Sequence, residues 1–263
     1  MLMMENPLIC IERQEAIALI TLNRTSKQNA IDAGMIAELA RGFAELRDEA
    51  GICAIILIGK GEVFSVGTDA EQSRSWAQEQ TKSFACAWRE LIELIENLGK
   101  PVIAAVNGPA YGYGCELALA CTWCIASSDA NFAASDRTSG QLLALGGVVR
   151  LSRIIGRARA LEMILTGESL SAEEARQIGL VNRIVNGQEE LLPVCKELAW
   201  QISRNAPLAV KYVLEAVNQG SEVPLVNGLH LESALFGLCF ATKDVLEGTS
   251  AFLEKRLPVF KGE

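Results

Sequence analysis

The chain has 263 residues, and half of them are hydrophobic, which is enough for a large core. Its formal net charge of −8 argues against a general nucleic-acid surface, since phosphate contacts need clustered lysine and arginine. No uncharged apolar run reaches the length of a membrane span, and the N-terminal residues lack the basic region of a signal peptide. The sequence therefore predicts a cytoplasmic protein that binds neither nucleic acid nor membrane.

The first hundred residues predict an alternation of strands and helices. The predicted elements are two strands in 8–22 around a turn at 13–14, a helix at 32–50, a strand at 53–58 and a helix at 79–98. Asp32 is the predicted N-cap of the first helix. Asp69, with Gln72 three residues later, predicts the start of a further helix after a glycine-rich loop. Strands that alternate with helices in this way indicate an α/β architecture.

The rest of the chain is organised around residues 100 to 128. Val102 to Val106 is a continuous apolar run typical of a strand buried on both faces, and Asn107-Gly108-Pro109 breaks it. A buried helix follows from Cys115, and then a short strand at 124–126. Glu116 is the single carboxylate in the first turn of that apolar helix. A first-turn acid can simply favour the helix dipole, but the apolar residues on both sides favour a functional role.

The second half of the chain predicts mainly helices. Residues 132 to 147 have weak periodicity and many small residues, so we expect a loop there, and from Gly147 onward we expect helices almost throughout. Ser171 and Glu174 have the spacing of a capping box, and residues 220 to 224 predict a break between helices.

Metal and nucleophilic chemistry have little support in the sequence. Cys121 and Cys124 form a lone CxxC, and the single histidine, His230, is far away in sequence and lies on a predicted helix. We therefore predict no metal site. The basic run from Arg150 to Arg159 is spread at helical spacing among apolar residues, which favours a solvated helix face over a binding patch.

Several longer segments resemble the crotonase superfamily, the enoyl-CoA hydratase/isomerase proteins, over essentially the whole chain. The matching segments are LNRTSKQNAI at 22–31, FSVGTD at 64–69, KPVIAAVNG with GCELALAC at 100–121, RIIGRARALEMILTGESLSAEEARQIGLVNRIV at 153–185, and FATKDVLEGTSAFLEKRLPVFKG at 240–262. Their order and spacing make the resemblance more specific than a lone short motif.

The resemblance implies an α/β fold, a crotonase-like spiral of βα-type units with a C-terminal helical region. It places the spiral core in residues 1–200 and the C-terminal helices, which mediate trimerisation, in 201–263. It also implies a homotrimer or a dimer of trimers and an acyl-CoA thioester as substrate. Coenzyme A is then part of the substrate, and no separate cofactor is expected.

The resemblance also implies site residues. The two backbone N–H groups that hold the thioester oxygen fall at Thr68 and Tyr113, and the two catalytic carboxylates fall at Glu116 and Asp136. The chain departs from the family where Asp136 replaces a longer glutamate in an altered loop and where Tyr113 replaces a glycine. For Asp136 a turn residue paired with Arg137, and for Tyr113 a side chain that points outward, stay open as alternatives.

The contacts to the rest of the substrate are implied more weakly. Phe236, Phe252 and Lys255 match positions that contact CoA or line the acyl pocket from a neighbouring subunit, although a structural role in their helices is as well supported. Val66 is a further substrate-binding candidate beside the oxyanion loop. Lys27 is a candidate for a CoA phosphate, because a chain of net negative charge needs a local cation there.

Three functions remain open on the sequence. The first is an enoyl-CoA hydratase that adds water across the C2–C3 double bond of a 2-enoyl-CoA, with Glu116 and Asp136 as its acid and base. The second is an enoyl-CoA isomerase that moves a proton with one carboxylate. The third is a catalytically weak crotonase-like protein that binds acyl-CoA; the altered Asp136 loop favours it, and the intact motif around Glu116 opposes it.

Overall fold

The computed structural model describes residues 7–74, 78–134 and 146–263. The elements are, in chain order, β1 (Ile9–Gln14), β2 (Ile17–Leu22), α1 (Ala33–Asp48), β3 (Ala54–Gly59), α2 (Ala70–Arg74), α3 (Gln78–Glu96), β4 (Val102–Val106), β5 (Ala110–Tyr111), α4 (Tyr113–Leu119), β6 (Trp123–Ser127), β7 (Asn131–Ala133), α5 (Gly147–Ile155), α6 (Arg157–Thr166), β8 (Leu170–Ser171), α7 (Ala172–Gln177), β9 (Arg183–Val185), α8 (Gln188–Ser203), α9 (Pro207–Gly220), α10 (Leu225–Phe240) and α11 (Lys243–Glu254). The predicted α/β architecture is confirmed.

A six-stranded sheet in the order β1-β2-β3-β4-β6-β9 forms the centre of the fold. β1 and β2 are an antiparallel hairpin, and every later neighbour pairs in parallel. Because alternate side chains of a strand face opposite sides, β3 places Ile55 and Leu57 in a core with α1 and α3, and Ala54 and Ile56 in a second core against α8. The sheet is thus covered on both faces, which explains the continuous apolar runs in its central strands.

Three short strands, β7, β8 and β9, correct two expectations about the second half of the chain. β7 and β8 form a smaller sheet with β5, in the order β5-β7-β8. Residues 131–133, in and before the segment expected as a loop, form β7, which pairs with β5 in parallel. The helices expected after Gly147 are interrupted by β8 and by β9, and β9 adds the edge strand of the main sheet. The smaller sheet matters for the site because β5 leads directly into α4.

Most of the local signals that end and begin elements act as predicted. Asp32 accepts a hydrogen bond from the Met35 backbone N–H at 2.8 Å, as an N-cap does. Ser171 and Glu174 form the reciprocal capping box at the start of α7. The turn of the N-terminal hairpin lies at Glu15 and Ala16, two residues later than predicted, and Glu15 takes the left-handed backbone conformation there.

The run from Arg150 to Arg159 includes two cations that pair with acidic groups. Arg150 is half-buried and pairs with Glu96 of α3, with 2.7 Å between its Nη2 and Glu96 Oε2. Arg153 forms an ion pair with Glu222 near the start of α10. These contacts join α5 to its neighbours, so the prediction of a solvated side chain is wrong for Arg150.

The C-terminal helices α9, α10 and α11 and the segment after them expose many large apolar side chains, among them Leu225, Phe236, Phe252 and Leu257. The last residues return to α11, where the buried carboxylate of Asp244 accepts backbone N–H bonds from residues 261 and 262 at 2.8 Å each. Over the described ranges, no single helix is long and apolar enough to cross a membrane, and α10 and α11 meet that requirement only together, as a pair bent by 71°.

Candidate active site

Glu116 lies in the first turn of α4 and is 2 % exposed. The strand β4 leads into this helix through Asn107, whose side chain accepts from the Gly59 N–H at 3.1 Å and donates to the Gly61 carbonyl oxygen at 2.7 Å. This asparagine therefore fixes the break that follows β4. The structure therefore confirms the predicted position of Glu116, buried in the first turn of an apolar helix.

The two carboxyl oxygens of Glu116 have different surroundings. Oε2 accepts a hydrogen bond of 2.9 Å from the indole Nε1–H of Trp88 on α3. Oε1 is fully buried and has no hydrogen-bond partner within the described parts of the chain. A buried polar atom without a partner is uncommon in native proteins and is a feature of functional sites.

Burial raises the pKa of Glu116 to about 8, while the Trp88 hydrogen bond and the charge of Arg150 act in the opposite direction. Loss of hydration disfavours the charged form of a carboxyl group, so burial is the dominant cause. A carboxyl group with this pKa exchanges a proton near neutral pH, which is what a general acid–base group requires.

Gly147, the first residue of α5, closes the other side of the carboxyl group. A Cβ atom on Gly147 would lie 2.2 Å from Glu116 Oε1 and 2.6 Å from its Cγ. Only a residue without a side chain leaves room for the observed position of Glu116. The carboxyl group is therefore held between α3 and the start of α5.

The backbone N–H groups of Thr68 and Tyr113 lie where the 64–69 loop meets the start of α4. The Ser65 N–H donates to the Pro109 carbonyl and the Tyr111 N–H to the Ser65 carbonyl, which brings the 64–69 loop against β5. Gly67 has a φ of +93°, and a Cβ on it would lie 2.8 Å from the Tyr111 oxygen and 3.3 Å from the Tyr113 nitrogen. Glycine is thus required for this close approach.

The N–H groups of Thr68 and Tyr113 are the two that the resemblance singled out. The neighbours of Thr68 are bonded, since the Gly67 carbonyl accepts from the Ile31 N–H and the Asp69 N–H donates to the Ile31 carbonyl. In the described ranges, neither the Thr68 N–H nor the Tyr113 N–H has a protein acceptor. Two such donors on adjoining loops suit an oxygen that carries developing negative charge.

The Tyr113 side chain packs inward, which answers the question that its sequence left open. Its ring makes edge-on contacts with Trp88, with 4.9 Å between centroids, and with Phe84, with 5.7 Å. Burial, and secondarily the nearby Glu116, raises the pKa of Tyr113 to about 12, so its hydroxyl group stays protonated at neutral pH. An aromatic layer from α3 and α4 therefore lies beside the carboxyl group.

Of the six remaining candidates, five lie in the described part of the chain. Asp136 lies outside the described residues. Lys27 is exposed and forms an ion pair with Glu71 of α2, and Val66 is half-buried in the loop before Thr68. The candidates of the C-terminal helices, Phe236, Phe252 and Lys255, are all exposed.

Sequence reasoning missed Trp88, Gly147 and Arg150. The helical periodicity of α3 places residue 88 on a buried face, but nothing local indicates that its indole N–H reaches a carboxylate 28 residues later. Gly147 falls at the end of a stretch expected as a loop, where a glycine attracts no special interpretation.

Together, the fold and this geometry define a class: an α/β protein with a buried carboxyl group of raised pKa beside two backbone donors that have no acceptor in the described ranges. The family model for enoyl-CoA hydratase/isomerase matches residues 12–263. The chain belongs to that family, and the sequence resemblance is confirmed.

Individual relatives agree over nearly the full length. The short-chain-enoyl-CoA hydratase of Clostridium acetobutylicum is 37% identical, with 94% of this chain and 95% of the relative covered. The crotonyl-CoA hydratase of Syntrophomonas wolfei is 36% identical with the same coverage. The crystal structure of enoyl-CoA hydratase from Bacillus anthracis superposes with a TM-score of 0.93 at 37% identity, covering 97% of this chain and 100% of that chain.

Proposed function

We propose that this protein is an enoyl-CoA hydratase that adds water across the C2–C3 double bond of a 2-enoyl-CoA thioester. The observation that carries this proposal is the buried carboxyl group of Glu116, with one oxygen that has no partner among the described residues, in a chain whose full-length relatives include hydratases by name. The substrate is an acyl-CoA, and coenzyme A enters as part of it.

The Thr68 and Tyr113 N–H groups bind the thioester oxygen in this proposal. Attack at C3 moves the electrons of the double bond onto that oxygen, which becomes the oxyanion of an enolate. Donors that are already fixed by the loop contacts of Gly67 stabilise this charge without reorganisation. Removal of one such donor typically costs about 2.7–4 kcal/mol of transition-state stabilisation.

The carboxyl groups of Glu116 and Asp136 move the protons. The water oxygen forms a bond to C3, one proton of the water passes to a carboxylate, and a carboxyl group delivers a proton to C2 as the enolate collapses. The sum is addition of one water molecule with no net change in the enzyme. The raised pKa of Glu116 lets it take and return a proton near neutral pH.

The proposed assembly is a homotrimer or a dimer of trimers, in which the C-terminal helices of one subunit reach a neighbour. Phe236, Phe252 and Lys255 are exposed in a single chain and so are accessible for contacts to a neighbouring subunit or to its substrate. Lys27 and Val66 are proposed contacts to the substrate from the same chain. Binding of a CoA phosphate requires Lys27 to exchange its partner Glu71 for that phosphate.

Product analysis tests the proposal. The protein is incubated with crotonyl-CoA and, separately, with a 3-enoyl-CoA, and the products are separated and weighed by mass spectrometry. We expect a gain of one water on crotonyl-CoA, and we expect Glu116→Gln to lower kcat at least about a hundredfold, because it removes the acid–base group. Double-bond migration without hydration would favour the isomerase, and binding without turnover would favour an acyl-CoA-binding protein.

A further inference from the structure

Trp88 links α3 to the candidate catalytic helix through its only polar atom. The residue lies in the middle of α3, is fully buried, and donates its indole N–H to Glu116 Oε2 over 2.9 Å. A buried indole N–H needs a partner, and here the partner is a carboxyl oxygen in place of a backbone carbonyl. The bond therefore fixes one specific oxygen of Glu116.

The plane of the indole is itself held by packing. Tyr113 contacts Trp88 edge-on at an interplanar angle of 88°, and Phe84, one helical turn before Trp88, contacts the same tyrosine ring at 89°. Edge-on aromatic pairs are favourable arrangements with little freedom to rotate in a close-packed core. The direction of the N–H bond is consequently set by the aromatic layer.

Gly147 restricts the carboxyl group from the opposite side. The Cβ position of Gly147 would overlap three atoms of the Glu116 side chain at 2.2–2.6 Å, so Oε1 fits against the bare Cα of α5. Trp88 and Gly147 leave the side chain one position, with Oε2 occupied and Oε1 without a partner in the described ranges.

We propose that Trp88 is a positioning residue for the reaction: its indole N–H occupies Oε2 of Glu116, and Oε1 is thereby the oxygen that exchanges protons with water and substrate. Trp88 acts through Glu116 and touches no reacting atom. The inference rests on the proposed role of Glu116 as an acid–base group.

The charged and titratable groups that face Glu116 give this proposal a measurable consequence. Arg150 faces it from α5 and lowers its pKa, while the pKa values of Tyr113 and Cys115 on α4 are raised first by burial and second by the charge of Glu116. The Trp88 hydrogen bond favours the carboxylate form. Loss of this donor therefore raises the pKa of Glu116 further above its ordinary value, whichever protonation state the reaction uses.

Trp88→Phe removes the donor and keeps an aromatic ring in the layer. The pKa of Glu116 is measured in the free protein from its infrared carboxyl band, with Glu116→Gln as the blank. We expect an upward shift of about one pH unit, and an equal shift of the inflection in the pH profile of kcat/KM for crotonyl-CoA. We expect kcat to fall about tenfold to a hundredfold, with KM changed less than about twofold.

Phe84→Leu is the matched control, because it loosens the same aromatic layer and leaves the indole N–H in place. We expect no shift in the Glu116 titration for this variant. Should Trp88→Phe fail to fold, 3-benzothienylalanine at position 88 keeps the shape of the indole and replaces its N–H by sulfur, and the same shift is expected.

Three results would overturn the proposal: an unshifted Glu116 titration in a folded variant without the N–H, an equal shift in Phe84→Leu, or a shifted titration with unchanged kcat. The infrared titration needs no substrate. A wild-type protein that turns over no enoyl-CoA would refute the proposed function, and the pKa measurement would still report on the Trp88 contact by itself.

Discussion

Phenylalanine occurs in two opposite environments in this chain. In the spiral core, Phe43, Phe64 and Phe132 are at most 1% exposed, whereas in α10 and α11 the exposed fractions of Phe236, Phe240 and Phe252 are 61–82%. The same side chain is thus buried by the sheet and its covering helices in one region and left in solvent in the other. The core therefore buries its aromatic side chains within one chain, whereas the C-terminal helices leave theirs in solvent.

The exposed apolar side chains of the C-terminal helices form a candidate interaction surface. Exposed contiguous apolar patches mark interaction sites in soluble proteins, and the exposed residues here continue from α10 through Leu257 and Val259. The tail itself is held in place by Asp244, so its exposure reflects an ordered surface. This supports the proposal that the C-terminal helices bind a second copy of the chain.

The core contains its own exception. Glu116 is as buried as its apolar neighbours but has one oxygen without a described partner, so burial opposes its charged form. In the core, then, apolar burial stabilises the fold, whereas burial of the Glu116 carboxyl group opposes its charged form and so costs stability.

The largest expected effect is on core packing. Phe43 lies on the buried face of α1 and is fully buried in the core, so Phe43→Ala leaves a cavity and loses apolar burial. We expect the free energy of unfolding to fall by about 3–5 kcal/mol. Urea unfolding followed by circular dichroism measures it. A loss below about 1 kcal/mol would contradict the view that this region is close-packed.

Glu116→Gln is expected to stabilise the protein, and more so at high pH. The folded-state pKa of about 8 lies above the ordinary value of 4.5, so the folded state binds more protons than the unfolded state between these pH values. Wild-type stability therefore falls as pH rises through this window, and the glutamine variant does not share that fall. We expect the difference in unfolding free energy to be near zero at pH 4.5 and a few kcal/mol at pH 9.

Urea titrations of both proteins at several pH values check this expectation. Glu45→Gln, which removes an exposed carboxylate of α1 and leaves Glu116 untouched, serves as the control for general charge effects. Parallel stability curves for wild type and Glu116→Gln across the window would show that the carboxyl group is not raised in pKa.

The sequence predicted the parts of the fold whose signals are local and long. The run Val102–Val106 is confirmed as a strand, and Asp32 is confirmed as a helix cap, because burial on both faces and capping both leave a pattern within a few residues. β7 and β9 have three residues each, too few for a periodicity, and their pairing with distant strands decides their conformation. These two were therefore missed.

The site residues also divide into those that the sequence indicates and those that it does not. Glu116 was found from its own surroundings, one acid in an apolar first turn, and the Thr68 and Tyr113 donors came from the family resemblance. Trp88 and Gly147 contact Glu116 across 28 and 31 positions of sequence, and no local pattern records such contacts. A single sequence indicates which residue is unusual, but the residues that hold it in place require the fold.

Phe252 gives the most direct test of the comparison between the core and the C-terminal helices. Its replacement is expected to have the smallest effect on the fold. Its side chain is 82% exposed, so Phe252→Glu loses few contacts within its own chain, and we expect the unfolding free energy of the monomer to change by less than about 0.5 kcal/mol. In a closed assembly the same change buries a charge at every copy of the interface. Light scattering at micromolar protein is expected to give a trimer or hexamer for wild type and smaller species for Phe252→Glu.

Gln201→Glu, which adds the same charge at an exposed position of α8, is expected to leave the assembly intact. A wild-type monomer that binds acyl-CoA normally would exclude a role for Phe236, Phe252 and Lys255 in a neighbour's site.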